Sequence, residues 1–316
     1  MSEENKKIKD FSLIIPLLNE GENISELHNQ INLSLKDFDK TYEIIFVDDG
    51  SQDNSFSILK GLHNEDKNIK VIQFRRNFGK SAALSAGFRY AKGKVVITMD
   101  ADLQDDPKEI PKLIKKLDEG YELMSGWRFG RKDSFSKTIP SKFFNLLTSL
   151  LTGIKIHDFN CGLKAYKREV IENINLYGEL HRYIPVLAYW KGYKIGEVKV
   201  KHHPRKYGKS KYGVERLFKG MTDLITVMFL TKYMKKPLHL FGAVGSIIFL
   251  VGLIVNIYLI IIRLFGRGIG DRPLLLLGVL LMVIGFQIIS TGLIGEIIVN
   301  TRTNADEDYM IKKILE

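Results

Sequence analysis

The chain has 316 residues, of which 45% are hydrophobic and 26% charged, so it can build a packed core and is not a disordered polypeptide. Its single cysteine, Cys161, excludes an internal disulfide framework and a multi-cysteine zinc site. Lys and Arg number 47 against 36 Asp and Glu, a formal net charge of +11, which points to an anionic partner such as nucleic acid, lipid headgroups or a phosphorylated substrate.

In chain order, the first ten residues are polar and carry Lys6, Lys7 and Lys9 without an apolar stretch behind them. They do not read as a signal peptide. Four short apolar runs follow: Phe11–Leu18, Tyr42–Asp49, Lys70–Phe74 and Lys94–Asp102. Helix-like stretches separate them at Asn23–Leu35, Asn54–His63 and Lys80–Ala91. Strands buried on both faces that alternate with helices predict a mostly parallel sheet of βαβ units. Ligands bind such sheets outside the carboxyl ends of the strands. Four polar clusters fall there: Asn19-Glu20, Asp48-Asp49, Arg75 to Lys80, and Asp100 to Gln104. The coincidence predicts one shared site.

Two segments, 138–151 and 214–233, mix apolar and polar positions. Both read as amphipathic helices, to lie on a membrane surface or on the soluble domain. Two long apolar segments come next. Leu238–Ile262 would span about 37 Å as a helix, enough to cross a hydrocarbon core of about 30 Å. Leu274–Val299 is of similar length, with Pro273 in its first turn, where a missing N–H costs little. The predicted domains are therefore 1–212, a juxtamembrane stretch 213–237, a two-helix hairpin over 238–299 and a tail, 300–316. Lys232, Lys235, Lys236 and Arg302 flank the hairpin, and Arg263, Arg267 and Arg272 sit in its link. The positive-inside count is nearly tied. An untranslocated N-terminal domain puts it and both termini in the cytoplasm. Glu296, near the end of the second segment, is expected to reach the interface.

The chemistry concentrates at strand ends. Asp100 and Asp102 stand at i and i+2 on a chain leaving a strand, so both can reach one hard cation. Gln104 would add an amide oxygen. A lone D-x-D is often a solvated turn; three neighbouring polar clusters raise this one above that. Asp48 and Asp49 can accept from a ribose or base, although an ordinary Asp-Gly turn would look the same. Pro16, Asn19 and Glu20 close one strand and open a helix whose N-terminus can face phosphate, and a plain helix cap would also fit. Arg75 to Lys80 is a basic turn, not a P-loop, because the glycine spacing is missing.

PLLNE, VDDGS, RRNFGK and DADLQ, followed by SGWR, DFNCGLKAY and HHPRKYGKSKY, resemble the family 2 inverting glycosyltransferases of GT-A fold. Within them they are most similar to the polyprenyl-phosphate branch: dolichyl-phosphate mannose synthases and bacterial undecaprenyl-phosphate glucosyl and aminoarabinosyl transferases. The resemblance implies a GT-A domain followed by a transmembrane hairpin. It places Pro16, Asn19, Glu20, Asp48, Asp49 and Lys80 at the nucleotide, and Asp100, Asp102 and Gln104 on Mg²⁺ or Mn²⁺. Arg128 and Arg205 match basic positions near the phosphates. Lys209, Ser210 and Lys211 would lie with Arg205 on a loop over the donor, Asp158 at the acceptor side, and Arg182 is a further phosphate candidate.

The reaction implied is inverting transfer of one sugar from a nucleotide sugar, a UDP-sugar such as UDP-glucose, to polyprenyl phosphate. A GDP-mannose donor is the alternative. The acceptor phosphate is largely ionised near neutrality, since its second pKa is about 6, so Asp158 is expected to orient rather than to act as an essential base. The ten Lys and Arg of 191–219 against Glu197 and Glu215 suit anionic lipid. Nucleic acid is disfavoured, for no aromatic-interleaved platform appears. A processive polysaccharide synthase would carry Q-x-x-R-W and more spans. A catalytically silent nucleotide-sugar binding protein is the non-enzyme rival, against which Asp100, Asp102 and Arg128 stand. Hairpin packing could support a homotetramer.

Overall fold

The computed structural model describes residues 9–129, 152–204, 236–266 and 273–302, with single positions 145, 148, 149, 206, 226, 229, 233 and 268. The expectations for Arg205, Lys209, Ser210, Lys211, most of 138–151 and 214–233, and the tail beyond 302 lie outside these residues. The chain divides into two compact units, Met1–Val227 and Met228–Glu316.

The first unit opens on β1 (Lys9–Leu17), α1 (Gly21–Leu35), β2 (Tyr42–Asp48), α2 (Ser55–Glu65), β3 (Ile69–Gln73), α3 (Lys80–Tyr90) and β4 (Gly93–Thr98). Each element expected from the alternation is present, with ends shifted by a few residues. β1 pairs in parallel with both β2 and β4, and β2 with β3. The interior residues of β1 and β2 are buried on both sides of the sheet, from Phe11 to Ile15 and from Ile44 to Val47. That is why these strands read as unbroken apolar runs rather than alternating ones. One core layer packs α1 and α4 (Ile110–Asp118) through Ile24, Leu27, Ile31, Leu113 and Leu117. The opposite layer packs α3 through Ala83 and Leu84.

The second half of the sheet departs from simple alternation. β5 (Leu123–Arg128), β6 (Lys164–Lys167) and β7 (Ile195–Val200) complete the order β3-β2-β1-β4-β6-β5-β7. β6 is antiparallel to both β4 and β5, while β5 and β7 are parallel. β6 therefore wedges between two parallel groups and delivers the 158–163 segment to the end of β4. Short helices α5 (Arg168–Glu172) and α6 (Ile184–Trp190) follow β6.

The second unit holds α7 (Pro237–Leu264) and α8 (Pro273–Arg302). Both are long and apolar enough to cross a membrane. Small residues let their backbones meet. A Cβ on Gly245 would lie 2.6 Å from the Gly285 carbonyl oxygen, and one on Gly252 2.7 Å from that of Gly278. The descending partner numbers make the helices antiparallel. Close backbone approach at glycines drives association where lipid removes the hydrophobic force. Glu296 accepts the Leu238 N–H at 3.2 Å. It satisfies one of the orphan donors of the first turn of α7, a role for its carboxylate inside the hairpin rather than at the interface alone.

Candidate active site

The carboxyl ends of β1, β2 and β4 open on a cleft of about 310 Å³. Pro16, Glu20, Asp49, Lys80, Asp100 and Asp102 line it, with Asn77, Gly79, Glu179 and His181. Six of the expected site residues are thus gathered at one place, where strand-end geometry puts a ligand.

Asp49 builds the floor. Its two oxygens accept the Phe78 N–H at 2.7 Å and the Gly79 N–H at 2.9 Å. The basic turn after β3 is thereby tied to the end of β2. Burial raises the Asp49 carboxyl above its ordinary value, against these two backbone bonds. Asp48 turns inward instead: it is fully buried and accepts the Ser51 N–H at 2.9 Å. Gly50 has φ +77, and a Cβ there would lie 2.5 Å from the Arg76 carbonyl carbon. Only glycine allows that turn to approach the basic one. Asn19, at φ +52, is exposed. Its N–H donates to Ser51 Oγ at 2.8 Å, and its side-chain oxygen accepts from Gln52 N at 2.8 Å. Asn19 and Asp48 therefore shape the turns and are not lining residues of the cleft, whereas Asp49 and Glu20 are.

Lys80, the first residue of α3, places its ammonium on Asp100 Oδ1. Burial works against the Asp100 charge, but Lys80, helped by Arg128 and Lys164, outweighs it and holds the carboxyl below the usual range. Asp102 Oδ1 accepts the Gln104 N–H at 3.2 Å. The Gln104 side chain reaches the His203 backbone: its Nε2 donates to the His203 carbonyl at 3.3 Å, and the Gln104 backbone carbonyl accepts from His203 N at 2.8 Å. With the Asp105–His202 bridge, this pairing straps His202 and His203 to the D-x-D turn. Lys206 pairs with Glu26 of α1, at 2.8 and 2.9 Å.

Arg128 and Asp158 find each other across 30 residues. Nε to Oδ2 is 2.6 Å and Nη2 to Oδ1 is 2.8 Å, a buried bidentate pair. Neither lines the cleft. Burial disfavours the guanidinium charge, but the Asp158 bonds raise its pKa above the ordinary value. Arg182 is likewise buried, paired with Glu179 at 2.9 Å. The cleft wall is formed by its neighbours Glu179 and His181.

Three residues were not legible from motif spacing. His181 has Ser81 Oγ 3.0 Å from its Nδ1. Glu179 stands beside it. Lys164, on β6, is buried and donates to the Cys161 carbonyl at 2.5 Å. Burial pushes the Lys164 ammonium down to about 8, whereas an unfolded lysine keeps its proton to about 10.4. Between those values the unfolded chain binds a proton that the folded one has released, so stability rises with pH there. Wild type is expected to gain stability over Lys164→Met between pH 8 and 10 and to hold a constant difference between pH 6 and 7. Thermal melts across both ranges check this, and parallel curves up to pH 10 would refute it.

Residues 12–174 match the model of the family described as glycosyl transferase family 2. Dodecaprenyl-phosphate galacturonate synthase of Rhizobium johnstonii is 37% identical over 97% of this chain and 93% of its own length. Undecaprenyl-phosphate 4-deoxy-4-formamido-L-arabinose transferase of Proteus mirabilis is 37% identical over 98% and 95%. In fold, the chain is similar to glucosyl-3-phosphoglycerate synthase of Mycobacterium tuberculosis, solved with Mn²⁺, UDP and glucosyl-3-phosphoglycerate, at a TM-score of 0.55 and 19% identity over 71% of this chain and 80% of that one. With a mixed, mostly parallel sheet of GT-A type, a family match over residues 12–174 and a relative 37% identical over nearly its whole length, the chain belongs to glycosyl transferase family 2.

Proposed function

We propose that this protein transfers one sugar, with inversion, from a nucleoside diphosphate sugar to a polyprenyl phosphate at the cytoplasmic face of a membrane. One observation carries the reading: Asp100 and Asp102 line a cleft at the strand ends of a chain that also carries two membrane-length helices. The Rhizobium and Proteus relatives, named for prenyl-phosphate products, support the acceptor. The Mycobacterium enzyme, solved with UDP, supports uridine as the base. Glucose, galacturonate and a formamido-arabinose are the sugars to test first.

The residues present fit a divalent cation, Mg²⁺ or Mn²⁺. The Lys80 ammonium rests on Asp100, so that carboxylate already faces positive charge, and Asp102 shares its cleft. Among the described residues no cluster of three or more His, Cys, Asp or Glu could cage a metal. Two carboxylates completed by substrate phosphate oxygens is the usual arrangement for Mg²⁺. Asp100 and Asp102 would hold the ion, and when bound it neutralises charge on the departing diphosphate.

The chain's own residues set the rest. Asp49 fixes the turn whose residues Asn77 and Gly79 face the cleft. Lys80 supplies a cation on the Asp100 side, where diphosphate charge collects. An acceptor phosphate oxygen attacks the anomeric carbon as its bond to the diphosphate oxygen breaks, and no proton need be removed, because the phosphate is already largely ionised. Asp158, locked to Arg128, serves the frame rather than the proton. Arg205, Ser210 and Lys211 are proposed to meet the phosphates.

The full-length protein, purified in detergent, is offered undecaprenyl phosphate, a divalent cation and a panel of radiolabelled UDP- and GDP-sugars. Label from one donor should enter the lipid fraction only when cation and lipid are both present. Nucleotide release without lipid would replace the reading with hydrolysis. Absence of both would favour a binding protein.

A further inference from the structure

His181 plays no part in the mechanism above, yet it stands on the cleft wall. It lies in the turn Leu180–Tyr183 and is fixed by Ser81, the second residue of α3. Ser81 is buried, at 1% exposure. Its oxygen accepts the His181 backbone N–H at 3.1 Å and lies 3.0 Å from Nδ1. A buried hydroxyl must also place its own hydrogen. Among the described residues, His181 Nδ1 is the acceptor in reach. Ser81 therefore donates to Nδ1, and the imidazole hydrogen resides on Nε2. Burial, then Lys80, Arg182 and Lys164, press the ring well below the ordinary imidazole range, so it stays uncharged. Nε2–H has no acceptor among the described residues.

The result is a fixed, neutral donor on the wall that also bears Lys80, Asp100 and Asp102. Diphosphate charge is met there by cations, for which a neutral imidazole is a weak substitute. A neutral donor suits an uncharged oxygen, and a site that hydrogen-bonds a substrate hydroxyl discriminates strongly against analogues lacking it. The uncharged oxygens beside a diphosphate are those of the sugar. We propose that His181 reads the transferred sugar, donating from Nε2 to one of its hydroxyl oxygens, with Ser81 as the residue that positions the ring. This rests on the proposed glycosyl transfer.

The test compares, by calorimetry without acceptor, binding of the active nucleotide sugar with that of its free nucleoside diphosphate in the full-length protein. In His181→Ala the preference for the nucleotide sugar should fall about tenfold, the worth of roughly 1.4 kcal/mol for a lost hydrogen bond, with nucleoside diphosphate binding unchanged. His181→Gln, which keeps an N–H donor, should recover much of it. A deoxy donor lacking the hydroxyl that is read should bind both forms of the protein alike. Equal weakening of nucleoside diphosphate would make His181 a phosphate ligand and overturn the proposal, as would unchanged binding of both. Should His181→Ala not fold, Ser81→Ala and His181→Gln carry the same comparison. A wild type that binds the sugar nucleotide but labels no lipid fails the functional reading alone, and the affinity ratio still decides the role of His181.

Discussion

Asp102→Asn is expected to lower the rate of lipid labelling about a thousandfold while leaving the melting temperature unchanged. The substitution is nearly isosteric. Asp102 Oδ1 accepts the Gln104 N–H, and an asparagine side-chain oxygen accepts the same bond, so the turn survives. What is lost is the charge of one of the two carboxylates proposed to hold the cation. Charge stabilisation by a bound cation is worth several kcal/mol at the transition state, and each 1.36 kcal/mol is tenfold in rate. Asp100→Asn is the less clean probe, because it also removes the ion pair with Lys80. Single-turnover transfer at rising Mn²⁺ is the measurement. A right-shifted metal dependence with partial recovery fits a weakened cation site. A near-normal rate at ordinary metal concentration would remove Asp102 from it.

The parts of this molecule that the sequence announces are those whose signals are local. β1 to β4 are short apolar runs because both faces are covered, and the clusters at their ends are contiguous in sequence. The apolar segments behind α7 and α8 are legible for the same reason: length and hydropathy decide them without partners. The rest depends on long-range pairing. β6 is four residues, Lys164–Lys167, and its antiparallel place between β4 and β5 leaves no periodic mark. Ser81 and His181 meet across 100 residues. Asp48 and Asp49 are adjacent and chemically alike, yet one is turned into the core and the other lines the cleft, because successive side chains at a strand end point to opposite faces. Gln104 read as a cation ligand because it follows the D-x-D. Its amide nitrogen bonds the His203 carbonyl, a partner 99 residues away that motif spacing cannot display.

Arg128 and Asp158 separate two readings of a buried carboxylate. As a general base, Asp158 would need an exposed oxygen and a proton to take. As a counter-ion, it needs Arg128, and both of its oxygens are committed to that guanidinium. Removing one member of a buried pair costs about 3–5 kcal/mol, because the other charge is left uncompensated. At roughly 2–4 °C per kcal/mol for a unit of about this size, Arg128→Met should melt about 10 °C below wild type. Asp158→Asn should fall in the same direction, and the double variant should recover at least half of the loss, since no buried charge is then stranded. Thermal melts of the four proteins, run beside lipid labelling, give the coupling directly. A base would behave otherwise: Asp158→Asn would melt like wild type and lose turnover, and the second substitution would restore nothing. The bidentate geometry favours the first pattern, in which activity follows stability through the 158–163 segment that β6 carries to the end of β4.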